Sequence, residues 1–159
     1  MPVIRGNSGG GKPIVRVVLL SFLPNMSAVA EQPGATALQM LECRALLDTG
    51  ADGTSVSRSA ARAATLRSYG KRPVVGVGGL AYHRTWACYL GFYPEPAGDV
   101  GMTSLGASTA PYVLPEPLLA IEIPDNLGFE VIIRRDVLLM GTFIMRRGGE
   151  FELELPTLS

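Results

Sequence analysis

The sequence predicts an all-β domain, from its turn-forming residues, its apolar composition and the shortness of its apolar segments. The 159 residues include 19 glycines and 12 prolines, both above average usage of about 7% and 5%. Apolar residues make up 47% of the chain, enough to bury a core, and long runs of helical periodicity are few. We therefore expect short strands joined by turns rather than a helical bundle.

The expected elements follow one another as short apolar segments separated by turn residues. We expect a flexible leader over residues 1–12, one domain over 13–155 and a tail over 156–159. Within the domain we expect strands at 13–23, 36–47, 81–92, 118–123, 129–133 and 150–155, and a hairpin tip at 73–80. The alanine-rich segment 59–67 is a candidate helix, a short C-terminal helix is expected at 136–145, and the proline- and glycine-rich residues 93–117 form an insertion.

Charge and ligand counts exclude two classes of site. The 14 Lys and Arg balance the 14 Asp and Glu, and no stretch is strongly basic, so nucleic acid is not an expected partner. One histidine and two cysteines, Cys43 and Cys88, are too few for a structural zinc site. Two buried free thiols are expected, although cysteines in neighbouring strands would be able to pair.

No apolar run reaches the 18 or so residues of a membrane span, so no stable span is expected. Residues 12–30 imitate a secretory signal, with a short apolar stretch that begins well into the chain. We expect a cytoplasmic location and leave a secreted or periplasmic one open.

A carboxylate at the end of an apolar segment is the strongest indication of chemistry. Leu46 and Leu47 lead directly into Asp48, which is followed by Thr49 and Gly50. Burial opposes ionisation of a carboxyl group, so a side chain placed there needs hydrogen bonds or a chemical role. Taken alone, the motif is explained equally well as a turn, because aspartate and glycine are favoured turn residues.

Two further segments follow in an order that one protease family shares. Val75-Gly-Val-Gly-Gly lies downstream, and Ile132-Ile-Arg-Arg-Asp-Val-Leu lies later still. Together with residues 45–54, they resemble the flap tip, the strand-to-helix signature and the catalytic loop of the retropepsins. These are the single-domain aspartic proteases of retroviruses and their bacterial and eukaryotic relatives. The resemblance covers residues 13–155, although only the three segments are specific.

The resemblance implies a closed β-barrel with one short C-terminal helix, and an endopeptidase that needs neither metal nor cofactor. Aspartic proteases hold two carboxyl groups that share one proton and activate a water molecule. This chain has one Asp-Thr-Gly and no internal repeat, so we expect a homodimer with Asp48 of each copy at the two-fold axis. The expected partners are a second copy and a polypeptide substrate, and terminal strands including 150–155 are expected at the interface.

The resemblance also implies roles for the residues that follow the catalytic aspartate. Thr49 would hydrogen-bond across the dimer, and Gly50 would leave room for the substrate backbone and accept a hydrogen bond from it. Ala51 would contact substrate. Asp52 would pair with Arg135 and fix the catalytic turn against the helix.

Val77 would form the tip of a flap that closes over substrate and excludes water. Gly76, Gly78 and Gly79 would give this tip the backbone angles that it requires.

One residue departs from the family pattern, because Arg134 stands where the retropepsins have a glycine. A cation behind the catalytic turn would displace Asp48 or disturb proton sharing, unless its side chain turns outward. We favour retained activity, since the rest of the constellation is intact. The competing hypothesis is a catalytically impaired dimerisation or peptide-binding module with the same fold.

Overall fold

The computed structural model describes residues 1–21, 40–94 and 110–157, and these residues form mostly β-structure. The all-β class expected from the composition is confirmed. Within the described residues the elements are β1 (Val3–Asn7), β2 (Ile14–Leu20), β3 (Leu41–Leu47), β4 (Ser55–Ser57), α1 (Arg58–Ala63), β5 (Arg67–Gly76), β6 (Gly79–Phe92), β7 (Tyr112–Val113), β8 (Leu118–Ile123), β9 (Val131–Ile133), α2 (Arg135–Leu138), β10 (Thr142–Met145) and β11 (Glu150–Glu154).

Of the two sheets in the described residues, the larger has the strand order β2-β3-β9-β4-β8-β6-β5, with β7 beside β6. An additional pairing joins β2 to β6. Each of the six strands from β2 to β6 in this order therefore pairs with two others of the set. The pairings β3–β9 and β4–β8 are parallel, and the remaining ones are antiparallel.

Alternating apolar side chains of these strands build the core. In β3 the buried positions are Cys43, Ala45 and Leu47, separated by more exposed residues. Successive side chains of a strand point to opposite faces, so this spacing gives β3 one buried face. Strand β6 contributes Trp86, Cys88, Leu90 and Phe92 to the same core.

Both cysteines are free and buried, as the sequence analysis expected. Burial raises the pKa of the Cys43 and Cys88 thiols to about 12, with a smaller contribution from nearby carboxylates. Both thiols are therefore protonated at neutral pH and serve as small apolar side chains.

The smaller sheet shows that the predicted leader was wrong over part of its length. Residues of β1 pair with those of β11, from Val3 opposite Glu154 to Asn7 opposite Glu150. Ile4 is buried in the core, and Gly6 lies so close to the Phe151 ring that a Cβ would overlap it. The strand order in this sheet is β1-β11-β10, so the central position belongs to β11.

The C-terminal helix is shorter than predicted, and it is one of two helices in the described residues. Helix α2 ends at Leu138, and residues 142–145 form β10 instead of further helical turns. Between them, a Cβ on Gly141 would overlap the carbonyl oxygen of Glu154. This close approach of two backbones requires glycine and directs the chain into the sheet. Helix α1 falls on the alanine-rich segment but ends at Ala63, earlier than the predicted 59–67, because Arg67 already begins β5. Its N-cap is Ser57, whose hydroxyl accepts a hydrogen bond from the Ala60 amide at 3.3 Å.

The predicted insertion is partly integrated into the sheet. Residues 95–109 lie outside the described part of the chain, but β7 pairs with β6. The Tyr112 hydroxyl also donates a hydrogen bond to the Pro156 carbonyl at 2.5 Å. Residues 22–39, which include much of the signal-like segment and the start of the strand predicted at 36–47, likewise lie outside the described residues. Neither described helix has the length and apolar character that crossing a membrane would require.

Candidate functional site

Two parallel strands end side by side and bring the Asp-Thr-Gly turn against the residues that follow β9. Leu47 lies opposite Ile133 in the β3–β9 pairing. The Asp48 amide donates a hydrogen bond to the Ile133 carbonyl at 2.9 Å. Both strands run in the same direction, so the residues that follow them, Asp48 and Arg134, lie next to each other at the same edge of the sheet.

The two oxygens of the Asp48 carboxylate have different surroundings. Oδ1 accepts a hydrogen bond from the Gly50 amide at 2.8 Å, which closes a local turn of the kind that aspartate favours. A Cβ on Gly50 would lie 3.0 Å from this oxygen, so a larger residue would crowd the carboxylate. Oδ2 faces Arg134, and the Asp48 side chain is 36% exposed. The carboxylate is thus held by one oxygen and remains accessible to solvent.

Arg134 turns inward, so the outward orientation considered for it in the sequence analysis is wrong. Its Nη1 donates hydrogen bonds to the Gly53 carbonyl at 3.1 Å and to the Ser55 hydroxyl at 2.9 Å. Its Nε lies 3.6 Å from Asp48 Oδ2, beyond hydrogen-bonding distance. This buried Nε has no hydrogen-bond partner among the described residues. Arg134 is therefore anchored by the turn and contacts Asp48 only as an ion pair.

Asp136 and Thr54 connect the two segments, and neither was assigned a role from the sequence. The Asp136 carboxylate accepts hydrogen bonds from the Thr54 amide at 2.9 Å and from its hydroxyl at 2.6 Å. The Thr54 hydroxyl also accepts a hydrogen bond from the Arg134 amide at 3.2 Å. Both residues lie inside the segments quoted for the resemblance. Thr54 directly precedes β4 and Asp136 lies in the first turn of α2, so the signal available in the sequence was one hydroxyl and one carboxylate within these segments.

The predicted ion pair between Asp52 and Arg135 is present, with Oδ1 and Nη2 2.5 Å apart. The two side chains are 89% and 48% exposed, and exposed pairs of this kind contribute about 0–1 kcal/mol. The backbone contributes further contacts, because the Arg135 amide donates to the Ala51 carbonyl at 3.2 Å. The turn is consequently held more by hydrogen bonds around the buried Thr54 than by the exposed ion pair.

Thr49 is exposed, and its hydroxyl has no hydrogen-bond partner in the described residues of this single chain. The hydrogen bond expected for it across a dimer stays a prediction.

The β5–β6 hairpin contains the glycine-rich segment at its end. Gly76 pairs with Gly79, so Val77 and Gly78 form a two-residue turn, as the predicted hairpin tip requires. Gly79 has a φ of +98°, in the region that glycine adopts without strain. Val77 is fully exposed. Closure of this tip over a substrate stays a prediction.

A solvent-open cavity of about 520 Å³ lies between the Asp-Thr-Gly turn and the stem of the hairpin. It brings together residues 50–53 of the turn, 72–75 of β5, Leu119 and Ile121 of β8, and residues 134–136. Of the residues predicted to form the site, Gly50, Ala51, Asp52 and Arg135 therefore line one cleft; Asp48, Thr49 and the tip residues Gly76, Val77, Gly78 and Gly79 are not among its lining residues.

The described residues contain no group of three or more His, Cys, Asp or Glu side chains that could hold a metal ion.

No protein-family model matches this chain, and a search of curated proteins finds no similar sequence. Its function is therefore inferred from the residues and their geometry.

Thr54→Val tests which contact holds the site together. Valine keeps the shape of threonine but leaves Asp136 and the Arg134 amide without the hydroxyl, so we expect a loss of about 1–3 kcal/mol in the free energy of unfolding. Denaturant unfolding followed by circular dichroism measures this. Thr157→Val, at an exposed position beyond β11, is the matched control and should change stability by less than about 0.5 kcal/mol. Equal effects of the two substitutions would contradict this account.

Proposed function

We propose that this chain is an aspartic endopeptidase of the retropepsin-like kind, active as a homodimer. The observation that supports the proposal most is a partly exposed carboxylate in an Asp-Thr-Gly turn, next to a cleft that a glycine-tipped hairpin borders. Six strands of the larger sheet pair in a closed cycle, which supports the closed barrel that the resemblance implies.

The chemistry requires two catalytic carboxyl groups, and each chain supplies one, Asp48 of its single Asp-Thr-Gly. In the proposed dimer, Asp48 of one protomer and Asp48 of its partner share a proton. The ionised carboxylate takes a proton from the attacking water, and the neutral carboxyl group donates one to the carbonyl oxygen of the peptide. A single chain would hold only half of this site.

The smaller sheet offers strand edges through which two copies are able to pair. β11 lies between β1 and β10, so both of its own edges are occupied, and the interface role expected for residues 150–155 passes to their neighbours. β1 and β10 are the edge strands, and β10 carries the exposed Ile144 and Met145. Unpaired strand edges with apolar side chains favour association. These features support a dimer built on the smaller sheet.

The cleft suits an extended polypeptide. Val74, Leu119 and Ile121 give it apolar lining, and the exposed Gly50 places its backbone in the cleft beside the Asp48 carboxylate. An extended peptide that hydrogen-bonds to such backbone adds a strand, while its side chains occupy pockets on either side. Hairpins from both protomers would then cover the bound peptide and exclude water.

Arg134 favours a second candidate, a peptide-binding or dimerisation module with impaired catalysis. Proton sharing needs one neutral carboxyl group, whereas an adjacent cation interacts favourably with an ionised one. The enzyme remains the first proposal, because Arg134 makes its hydrogen bonds to Gly53 and Ser55 and not to Asp48. Oδ2 of Asp48 thus keeps its capacity to bind water.

Substitution of Asp48 tests the enzymatic proposal. Wild-type protein is incubated with a peptide library between pH 4 and 8, and cleavage sites are identified by mass spectrometry. We expect cuts from wild type, and none from Asp48→Ala, which lacks the acid and base of the reaction. Glu116→Ala, which removes an exposed carboxylate outside the cleft lining, is the control and should retain all cuts. Absence of cuts at every pH from wild-type protein that sediments as a dimer would refute the enzymatic proposal.

Arg134 variants separate charge from packing beside the carboxylate. Arg134→Met keeps the aliphatic stem but removes the cation, so we expect kcat to rise up to about fivefold, equivalent to ~1 kcal/mol of ion-pair energy. Arg134→Lys loses the Nη1 hydrogen bonds to Gly53 and Ser55 as methionine does but keeps the positive charge, so it should not show this rise in kcat. Kinetics on a peptide from the library measure both, with unfolding curves to establish that the variants are folded.

A folded Arg134→Met enzyme with unchanged or lower kcat would show that the cation does not restrain Asp48. An inactive wild type that gains activity through Arg134→Gly would instead establish the impaired module.

A further inference from the structure

Positive charge is concentrated in the part of the chain that forms the hairpin. The chain as a whole is formally neutral, yet no acidic residue occurs between Asp52 and Glu95. The same interval contains the cations Arg58, Arg62, Arg67, Lys71, Arg72 and Arg84. The last four belong to β5 and β6, so the hairpin carries a cationic stem below its apolar tip.

The strand register places like charges opposite each other in this stem. Lys71 lies opposite Arg84. Like charges directly opposite in an antiparallel pair destabilise the pairing. The stability of the hairpin therefore does not explain the stem charges, because an acidic residue in place of Lys71 or Arg84 would stabilise the strand pairing.

Arg72 differs from the other cations that line the cleft. Arg134 faces Asp48 and Arg135 pairs with Asp52. Arg72 lines the same cavity and is exposed, but its side chain pairs with no carboxylate of the described residues. Its guanidinium is thus available to a carboxylate that comes from outside the chain.

We propose that the cleft selects polypeptides with an acidic side chain, and that Arg72 is the specificity-determining residue that binds it. This inference rests on the proposed function, since it names the substrate class of the same cleft. The guanidinium presents two parallel N–H groups to a carboxylate, a geometry that lysine does not provide. Pro73, Val74 and Leu119 line the neighbouring part of the cavity and accept an apolar side chain of the same peptide.

The cleft suits a peptide better than a nucleic acid. Its described lining residues include no aromatic side chain on which a base would stack. They do include the carboxylates of Asp52 and Asp136, which repel phosphate. An acidic peptide carries fewer charges and brings apolar side chains that match Val74 and Ile121.

Peptide affinities measured by fluorescence anisotropy test the proposal. The probes are fluorescein-labelled peptides with a Val-Leu centre, in which a hydroxyethylene group replaces the central peptide bond and prevents hydrolysis. One probe has two glutamates beside the centre, a second has two glutamines and a third has two lysines. For wild type we expect the glutamate probe to bind about three- to tenfold more tightly than the glutamine probe. This ratio should shrink as salt is added.

Two charge-reversal variants test whether the preference for the glutamate probe depends on Arg72. Arg72→Glu should abolish the advantage of the glutamate probe and favour the lysine probe. Arg62→Glu makes the same change in charge on α1, at an exposed position outside the cleft lining, and should keep the wild-type order of affinities. If both variants lost the preference for the glutamate probe to the same extent, the role of Arg72 would be overturned, because the preference would then depend only on the net charge of the protein.

The remaining outcomes also decide the question. Absence of binding, equal affinity for the three probes, or tighter binding of a single-stranded RNA oligonucleotide than of the glutamate probe would overturn the proposal. Cleavage of the peptide library without acidic preference would overturn this inference alone and leave the endopeptidase standing. A glutamate preference that depends on Arg72, in a protein without Asp48-dependent cleavage, would support the acidic-peptide site and refute the enzyme.

Discussion

The parallel pairing of β3 with β9 is the constraint on which the rest of the site depends. It sets Leu47 beside Ile133, so the chain leaves both strands at one edge and the two following loops must pack against each other. The hydrogen bonds from Thr54 to Asp136 then join the loops. The position of the Asp48 carboxylate is a consequence of sheet topology first and of local turn geometry second.

Elements with a local signal were predictable from the sequence. The tip predicted at 73–80 and the strand predicted at 81–92 lie within the hairpin of β5 and β6, and the glycines that indicate the tip are contained in a short stretch of chain. The Asp-Thr-Gly turn is local in the same way, because its Gly50 amide bonds to the aspartate two residues earlier. The ion pair between Asp52 and Arg135 spans a long separation, and it was predicted only because the resemblance to the retropepsins linked the two segments.

Features that depend on contacts distant in sequence were not predictable. Residues 3–7 form a strand because β11 offers an edge and the core accepts Ile4, whereas the glycines around them resemble a flexible leader. The short α2 depends on the approach of Gly141 to Glu154, which no periodicity reveals. The inward Arg134 depends on the Gly53 carbonyl and the Ser55 hydroxyl, two acceptors that only the folded turn brings together.

We propose that the Asp48 carboxylates of two chains together form one peptidase site, and the stoichiometry of inhibitor binding tests this proposal most directly. Titration calorimetry with a statine-type transition-state mimic measures how many molecules bind per chain. We predict one inhibitor per two chains, with Asp48→Ala unable to bind it, because the inhibitor's hydroxyl group would lie between the two Asp48 carboxyl groups of the proposed dimer. One inhibitor per chain, or no binding by wild-type protein that sediments as a dimer, would contradict the shared site.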